Sequence, residues 1–354
     1  MRSIDVAPGG GVAALHLAER PRPTCDGDGL LVRVRAAALN HADIYQRDGL
    51  WPAPPDAPDT LGVEVAGIVE RPDAGGRFGI GDRVIGLLSG GGYAEYACLD
   101  AGLAAPIPPS LGFAEAACLP EAVVVGHSNL VELARVRPGE RVLLHGGASG
   151  MGSLALQMAT LLGARVATTT SDMGKAQRLD ELGAEAVFDR RSPKLADKLR
   201  AWAPDGIDVV VDIGGADTLA LNIDCLADRG RLVLMGVMSG TIVRELDIDP
   251  ILLKRLHVLG TVFRPTPLAE RRVLARAAYD TWLPRVASGE LRPVLHAVHP
   301  LEAAAAAHVE LEAGSHVGKI VLDTSGIVDT LDAELPAAVP LKGDKTCRAR
   351  FSTT

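Results

Sequence analysis

Between residues 141 and 163 the chain runs from an apolar strand through a cluster of glycines into a helix without interruption, RVLLHGGASGMGSLALQMATLLG, and no other stretch restricts the fold as much. Residues 141–145 have the length and apolar content of a buried strand. Gly146, Gly147, Gly150 and Gly152 follow within seven residues, and Leu154, Leu156, Met158, Ala159, Leu161 and Leu162 then supply the buried positions of a helix. This order suits an anion: a pyrophosphate can approach backbone N–H groups at a helix N-terminus where no Cβ intervenes, and the helix dipole favours it. The spacing Gly147-x-x-Gly150-x-Gly152 is not the commoner G-x-G-x-x-G, and a glycine cluster by itself also fits a structural turn. The segments that follow sharpen the reading. Residues 164–169 (ARVATT), 208–212 (DVVVD) and 231–235 (RLVLM) read as further strands with helical segments between them, the βαβ rhythm of a doubly wound parallel sheet. Gly147, Ala148, Ser149, Gly150, Met151 and Gly152 are therefore the expected phosphate-binding turn.

The end of the second strand of such a sheet distinguishes the two nicotinamide cofactors. An acidic residue about 20 positions beyond the glycines binds the ribose hydroxyls of NADH, whereas a 2′-phosphate needs cationic and hydroxyl donors. Here the strand ends in Thr169, Thr170 and Ser171; Lys175 comes one helical turn later, and Arg190 and Arg191 follow the next strand. These donors favour NADPH. Asp172 is the residue that would favour NADH if it faced the ribose, and Lys175 and Arg190 also fit plain solvated surface charge.

A chain of 354 residues suits two domains, each able to bury a core. Although 47% of residues are hydrophobic, no apolar run reaches the roughly 18 residues of a membrane span. A formal net charge of −8 without a Lys/Arg cluster argues against a nucleic-acid partner. The first residues, MRSIDVAPGG, lack a charged and then apolar export pattern, so the expected compartment is the cytoplasm. The five cysteines, at 25, 98, 118, 225 and 347, form no C-x-x-C pair and read as reduced, mostly packed thiols.

Ahead of the glycine turn, residues 1–120 read as β-rich. The segments 30–36 (LLVRVRA), 63–69 (VEVAGIV) and 83–87 are short strands separated by Gly/Pro turns, which suggests a compact barrel-like unit. Residues 37–50 mix polar groups into apolar surroundings and predict a short helix beside a cleft. A helical pattern over 113–133 bridges into the nucleotide-binding half, helices are expected over 268–288 and 301–313, and 318–323 (GKIVLD) is a last strand. Residues 324–354 have no useful period and are expected to be a flexible tail.

Taken together, RVLLHGGASGMGSLALQMATLLGA, GDRVIGLLSGGGYAEYA, AALNHADIYQRDGLWP, LGVEVAGIV and HVGKIVL resemble the zinc-independent quinone oxidoreductases of the medium-chain dehydrogenase/reductase superfamily, in order over about residues 1–323. The resemblance implies an α/β protein with a GroES-like catalytic domain (1–122 and 265–323), interrupted by a Rossmann domain (123–264), with NADPH between them, in a homodimer. It implies no metal. Zinc-dependent relatives carry a cysteine where Asn40 stands and a histidine in a G-H-E motif where this chain reads Gly62-Val63-Glu64, and their structural zinc lobe needs four closely spaced cysteines that are missing here.

A quinone or polarised C=C bond needs no Lewis acid to accept hydride, because its carbonyl delocalises the developing charge; the protein has to orient cofactor and acceptor and exclude water. By resemblance the site is lined by Asn40 and Asp43 of the L-N-x-A-D motif, Tyr45, Trp51 in place of a frequent tyrosine, His127, and Arg264 of an R-P motif near the nicotinamide. Gly236, Phe263 and Lys319 are further expected cofactor contacts. Asp43 also fits a helix-capping carboxylate. Gly126-His127 replaces bulkier neighbours, which would open the pocket or give it a titrating donor. The expected activity is NADPH-dependent reduction of a quinone or enone, with an enoyl reductase-like enzyme of secondary metabolism, or an inactive NADPH-binding structural or regulatory protein, as alternatives.

Overall fold

The computed structural model describes residues 1–55 and 57–326. The tail expected over 324–354 lies outside the described residues from position 327 onward.

In the first third of the chain, strands β1 (Arg2–Val6) and β2 (Leu15–Glu19) make an antiparallel ribbon. Strands β3 (Gly29–Ala38), β4 (Glu64–Arg71), β5 (Arg83–Leu87), β6 (Tyr96–Asp100) and β7 (Ala104–Pro106) then build an antiparallel sheet. The alternation in LLVRVR is the cause of its inner face: Leu30, Val32 and Val34 are buried while Arg33 faces out. Gly67 lets β4 lie close on β3, because a Cβ there would stand 2.3 Å from the Arg33 carbonyl oxygen.

The chain then builds a second sheet from β8 (Arg141–His145), β9 (Arg165–Thr170), β10 (Ala186–Asp189), β11 (Ile207–Asp212), β12 (Leu226–Leu234) and β13 (His257–Gly260). All neighbours are parallel, in the order β10-β9-β8-β11-β12-β13. Alternate residues of β8 enter two cores: Val142 and Leu144 pack with the helix Gly150–Leu161, and Leu143 packs with Leu195, Leu199 and Ile223 of helices on the other face. This is why the strand reads as a continuous apolar run. Strand order reverses at β8 between β9 and β11, and the crevice outside the C-terminal ends of these strands is where open α/β sheets bind ligands.

Strands β14 (Leu295–Pro300) and β15 (Lys319–Asp323) return to the first sheet, β15 pairing antiparallel with β3. The return carries Lys319 into the space between the sheets. The helical segment expected over 113–133 is broken by Pro120 into Phe113–Ala117 and Pro120–His127, with one wider turn at Ser128–Leu133. Among the described residues, no helix is long and apolar enough to cross a membrane.

One cysteine expectation is corrected. Cys25 and Cys98 lie with Cα atoms 5.6 Å apart and are joined as a disulfide, brought together by the pairing of β3 with β6. Cys118 and Cys225 remain buried free thiols, the latter pushed up to about 12 by burial.

Candidate functional site

Ser149 caps the helix Gly150–Leu161, its hydroxyl accepting from the Gly152 N–H at 3.0 Å. The N–H groups of Gly150 and Met151, at the same positive end, have no protein acceptor among the described residues. The glycines also serve packing. A Cβ on Gly152 would stand 2.3 Å from the Gly146 carbonyl oxygen, one on Gly147 would stand 2.2 Å from Thr168 Oγ1, and one on Gly150 would meet the Lys319 stem at 2.4 Å.

Lys319 ties this turn to the first sheet. Its neighbour Gly318 donates to the Ala148 carbonyl at 2.9 Å, its methylenes cross Gly150, and its ammonium is buried, 2% exposed. All three ammonium donors are used: on Asn40 Oδ1, on Glu64 Oε1 at 2.6 Å and on Glu121 Oε2 at 3.0 Å. Burial alone would lower the lysine pKa; Glu64 and Glu121 outweigh it and raise it, so the side chain is a fixed cation. Asn40 Nδ2 also donates to Glu64 Oε1 at 2.8 Å, and Glu64 Oε2 accepts from the Glu121 N–H at 2.8 Å.

Asn40, two residues beyond β3, has extended geometry and caps the helix His41–Arg47. Asp43 stabilises this corner. It is fully buried, and its carboxylate accepts from Asn40 N at 2.8 Å, Gly62 N at 3.1 Å and the Tyr93 hydroxyl at 3.0 Å. Burial pushes its pKa up to about 7 against these hydrogen bonds. The expected substrate contact is corrected: Asp43 has its acceptors turned into the fold, and it positions Asn40. Behind it, His308 Nε2 lies 3.3 Å from the Tyr93 hydroxyl, and His308 Nδ1 accepts from Arg47 Nη1 at 3.3 Å. Since arginine only donates, the proton of neutral His308 is on Nε2.

At the other end of the same helix, Tyr45 is half-buried and its carbonyl accepts from Leu50 and Trp51, folding the indole back. Arg264, on the loop after β13, lies with its guanidinium carbon 6.0 Å from the Trp51 ring centre and donates to Gln46 Oε1 at 2.7 Å. Gly236 and Phe263, which follow β12 and β13, are half-buried at the same strand ends.

Two expectations are corrected by burial. His127 is 3% exposed in the helical core; its Nδ1 accepts from the Trp282 indole at 3.1 Å, and its Nε2 stands 3.4 Å from Glu132 Oε1 without hydrogen-bond geometry. Burial lowers its pKa, which suits a neutral packing residue and not an acid in the pocket. Gly126 opens no space, because a Cβ there would meet Met158 Sδ at 3.0 Å. Lys175 is also turned inward: its ammonium donates to the carbonyls of Gly314 (2.5 Å) and His316 (2.8 Å) past the end of the helix Ala304–Ala313. Arg190 N bonds the Thr170 carbonyl at 2.9 Å, with Arg190 itself exposed, while the Thr170 hydroxyl is buried and donates to the Asp172 carbonyl at 3.2 Å. Asp172 is exposed, and its Oδ1 accepts from Gly174 N at 2.8 Å.

The geometry agrees with what known proteins resemble. Residues 26–109 match the alcohol dehydrogenase GroES-like domain and residues 150–278 the zinc-binding dehydrogenase family. Over 332 residues the chain is 30% identical to quinone oxidoreductase of Mus musculus, covering 91% of this chain and 97% of that one. The chain belongs to the zinc-independent quinone oxidoreductase family.

Its fold is that of the family. Quinone oxidoreductase of Escherichia coli, solved with NADPH, superimposes with a TM-score of 0.83 at 29% identity over 92% of this chain and all of that one. The chain is also 30% identical over 338 residues to a phenolphthiocerol/phthiocerol polyketide synthase subunit of Mycobacterium tuberculosis, of which it spans 15%. For a member of this family, the Asn40 and Glu64 contacts are informative. Of the positions that align with metal ligands in zinc-dependent relatives, Asn40 accepts from the Lys319 ammonium, and Glu64, next to Val63, accepts from it too. Among the described residues no group of three or more His, Cys, Asp or Glu is placed to hold a metal. Glu64, Glu121, Gln46 and Ser89 were not among the expected site residues; the available signal was Glu64 itself, a carboxylate inside the apolar run VEVAGIV.

Proposed function

We propose that this reductase uses NADPH to reduce a quinone or an α,β-unsaturated carbonyl compound without zinc. One observation carries the reading: the Lys319 stem lies on the glycine turn while its ammonium is bonded to Asn40 and Glu64, so the phosphate-binding turn and the polar floor of the catalytic domain meet. The chain fits the cofactor. The Gly150 and Met151 amides take the pyrophosphate, Ala148 and Gly152 shape their approach, and Ser171 and Arg190 take the 2′-phosphate. Gly236 and Phe263 flank the nicotinamide. NADPH, when bound, supplies the hydride. Asn40 and Lys319 hold the floor of the cleft rigid, Trp51 offers a stacking plane, and the phenol of half-buried Tyr45 donates to the acceptor oxygen.

A second reading, reduction of an enoyl thioester, is supported by the polyketide synthase match. We also propose a homodimer, supported by exposed apolar side chains at the free edge of the parallel sheet: Leu253 is 79%, Val258 42% and Val262 51% exposed.

The test is loss of absorbance at 340 nm with NADPH or NADH against naphthoquinone, phenanthrenequinone, enones and an enoyl thioester, with and without chelator. Chelator-insensitive oxidation of NADPH by quinones or enones is expected, activity confined to the thioester selects the second reading, and no oxidation of either cofactor overturns both.

A further inference from the structure

Ser89, in the loop after β5, is gripped by two arginines. Arg264 donates to its carbonyl from Nε (3.0 Å) and Nη2 (2.5 Å), and Arg271 donates from Nη1 to its hydroxyl (3.0 Å). The only other acceptor of either guanidinium among the described residues is neutral, Gln46 Oε1. Neither has a carboxylate within the 4.0 Å ion-pair distance, whereas Arg272, next in the helix, is paired with Asp28 at 3.0 Å and Asp100 at 2.5 Å.

Arg264 is only 8% exposed, and each arginine keeps one buried donor without an acceptor, Nη1 of Arg264 and Nε of Arg271. Burial lowers the pKa of both, opposed by the charge of Asp43 beyond ion-pair distance for Arg264 and of Asp100 for Arg271, while Arg271 adds to the lowering at Arg264. A buried guanidinium beside a half-buried one, both hydrogen-bonded to neutral partners, is an unfavourable arrangement that an anion corrects. The unpartnered donors suit an oxyanion, and a carboxylate matches guanidinium in shape and charge. The location says which molecule brings it: Arg264 lies over Trp51, beside the helix that carries Asn40 and Tyr45, on the acceptor side of the site.

We propose that Arg264 and Arg271 form a carboxylate subsite, so that the acceptor of this enzyme is an enone or quinone that also bears a carboxylate. The proposal rests on the reductase reading above and narrows it. Ser89 is a positioning residue that holds the two guanidiniums in register.

A matched pair of acceptors tests it. 6-Oxohept-4-enoate and its methyl ester share one enone, insulated from the carboxyl by two methylenes, and differ by one charge, and the saturated 6-oxoheptanoate serves as a binding probe for the enzyme–NADPH complex by calorimetry. The wild type should prefer the acid by at least about tenfold in kcat/KM, the scale of a charge-assisted hydrogen bond, with the preference shrinking as salt rises. R271Q should bring the acid-to-ester ratio close to one and abolish probe binding, and R271K should keep part of both. Equal use of acid and ester by the wild type overturns the subsite and leaves the reductase reading standing. A rise in the KM for NADPH in R271Q, equal with both acceptors, overturns it too, because the arginines would then serve the cofactor. If neither enone nor naphthoquinone oxidises NADPH, the reductase reading fails; probe binding by wild type and not by R271Q would still support the subsite, and no binding would overturn it.

Discussion

Replacing Lys319 by methionine keeps the stem that lies on Gly150 and removes the cation between Glu64 and Glu121. A buried carboxylate left without its partner costs about 3–5 kcal/mol, so K319M should lower the urea midpoint sharply, and E64Q/K319M should recover part of the loss. Equal midpoints for wild type and K319M would refute the role of the cation. Arg190 and Lys175 give the second prediction. R190A should raise the KM for NADPH about tenfold with little effect on NADH, whereas K175M should lower stability more than it changes cofactor choice, because the ammonium holds the Gly314 and His316 carbonyls. Steady-state kinetics with both cofactors separates them, and the reverse pattern would restore Lys175 as the phosphate ligand. At this scale the sequence was informative about which residues are chemically unusual and not about where they point. Asn40, Trp51 and Arg264 lie around one helix, but Lys175, His127 and Asp43 have the right residue types with side chains turned into the fold. Partners such as Trp282, 155 residues from His127, leave no local trace.

Gly152→Ala tests the element that organises the chain. Its Cβ would stand 2.3 Å from a backbone oxygen, where no side chain can yield, so the helix Gly150–Leu161 has to shift. The variant should lose about 2–3 kcal/mol of stability together with most of its NADPH affinity, measured by thermal shift with and without cofactor. Unchanged affinity would show that the turn is not the phosphate site. The strand, turn and helix were legible from apolar spacing and glycine content. The work of the individual glycines was not: the motif suggests room for phosphate, while Gly147 and Gly152 are required first by Thr168 Oγ1 and the Gly146 carbonyl. Pro120 was the visible sign that residues 113–133 could not form one helix. The Cys25–Cys98 pair stayed hidden because it depends on β3–β6 register.

For the whole molecule, buried histidines set the response to acid. Burial, reinforced by Arg47 for His308 and by Lys175 for His316, pushes both down to about 4. The folded pKa is depressed below the unfolded value, so their contribution is present above about pH 6.5 and is lost as pH falls toward 4, by up to about 3 kcal/mol each. Asp43, raised to about 7, runs the other way, its contribution fading as pH rises from about 4 to 7. The stability gap between wild type and H308Q in urea should therefore narrow from pH 7.5 to pH 4.5; a constant gap would contradict the assignment. The two-sheet architecture was legible in outline from segment types, but the return of β15 to β3, which places Lys319, followed only from family resemblance, since no local pattern encodes a pairing between residues 38 and 321. The most direct test of the account follows deuterium. With NADPH deuterated at C4 and an enone acceptor, in the presence of chelator, the account predicts one deuterium on the β-carbon of the saturated product, and product without deuterium from either C4 position would contradict it.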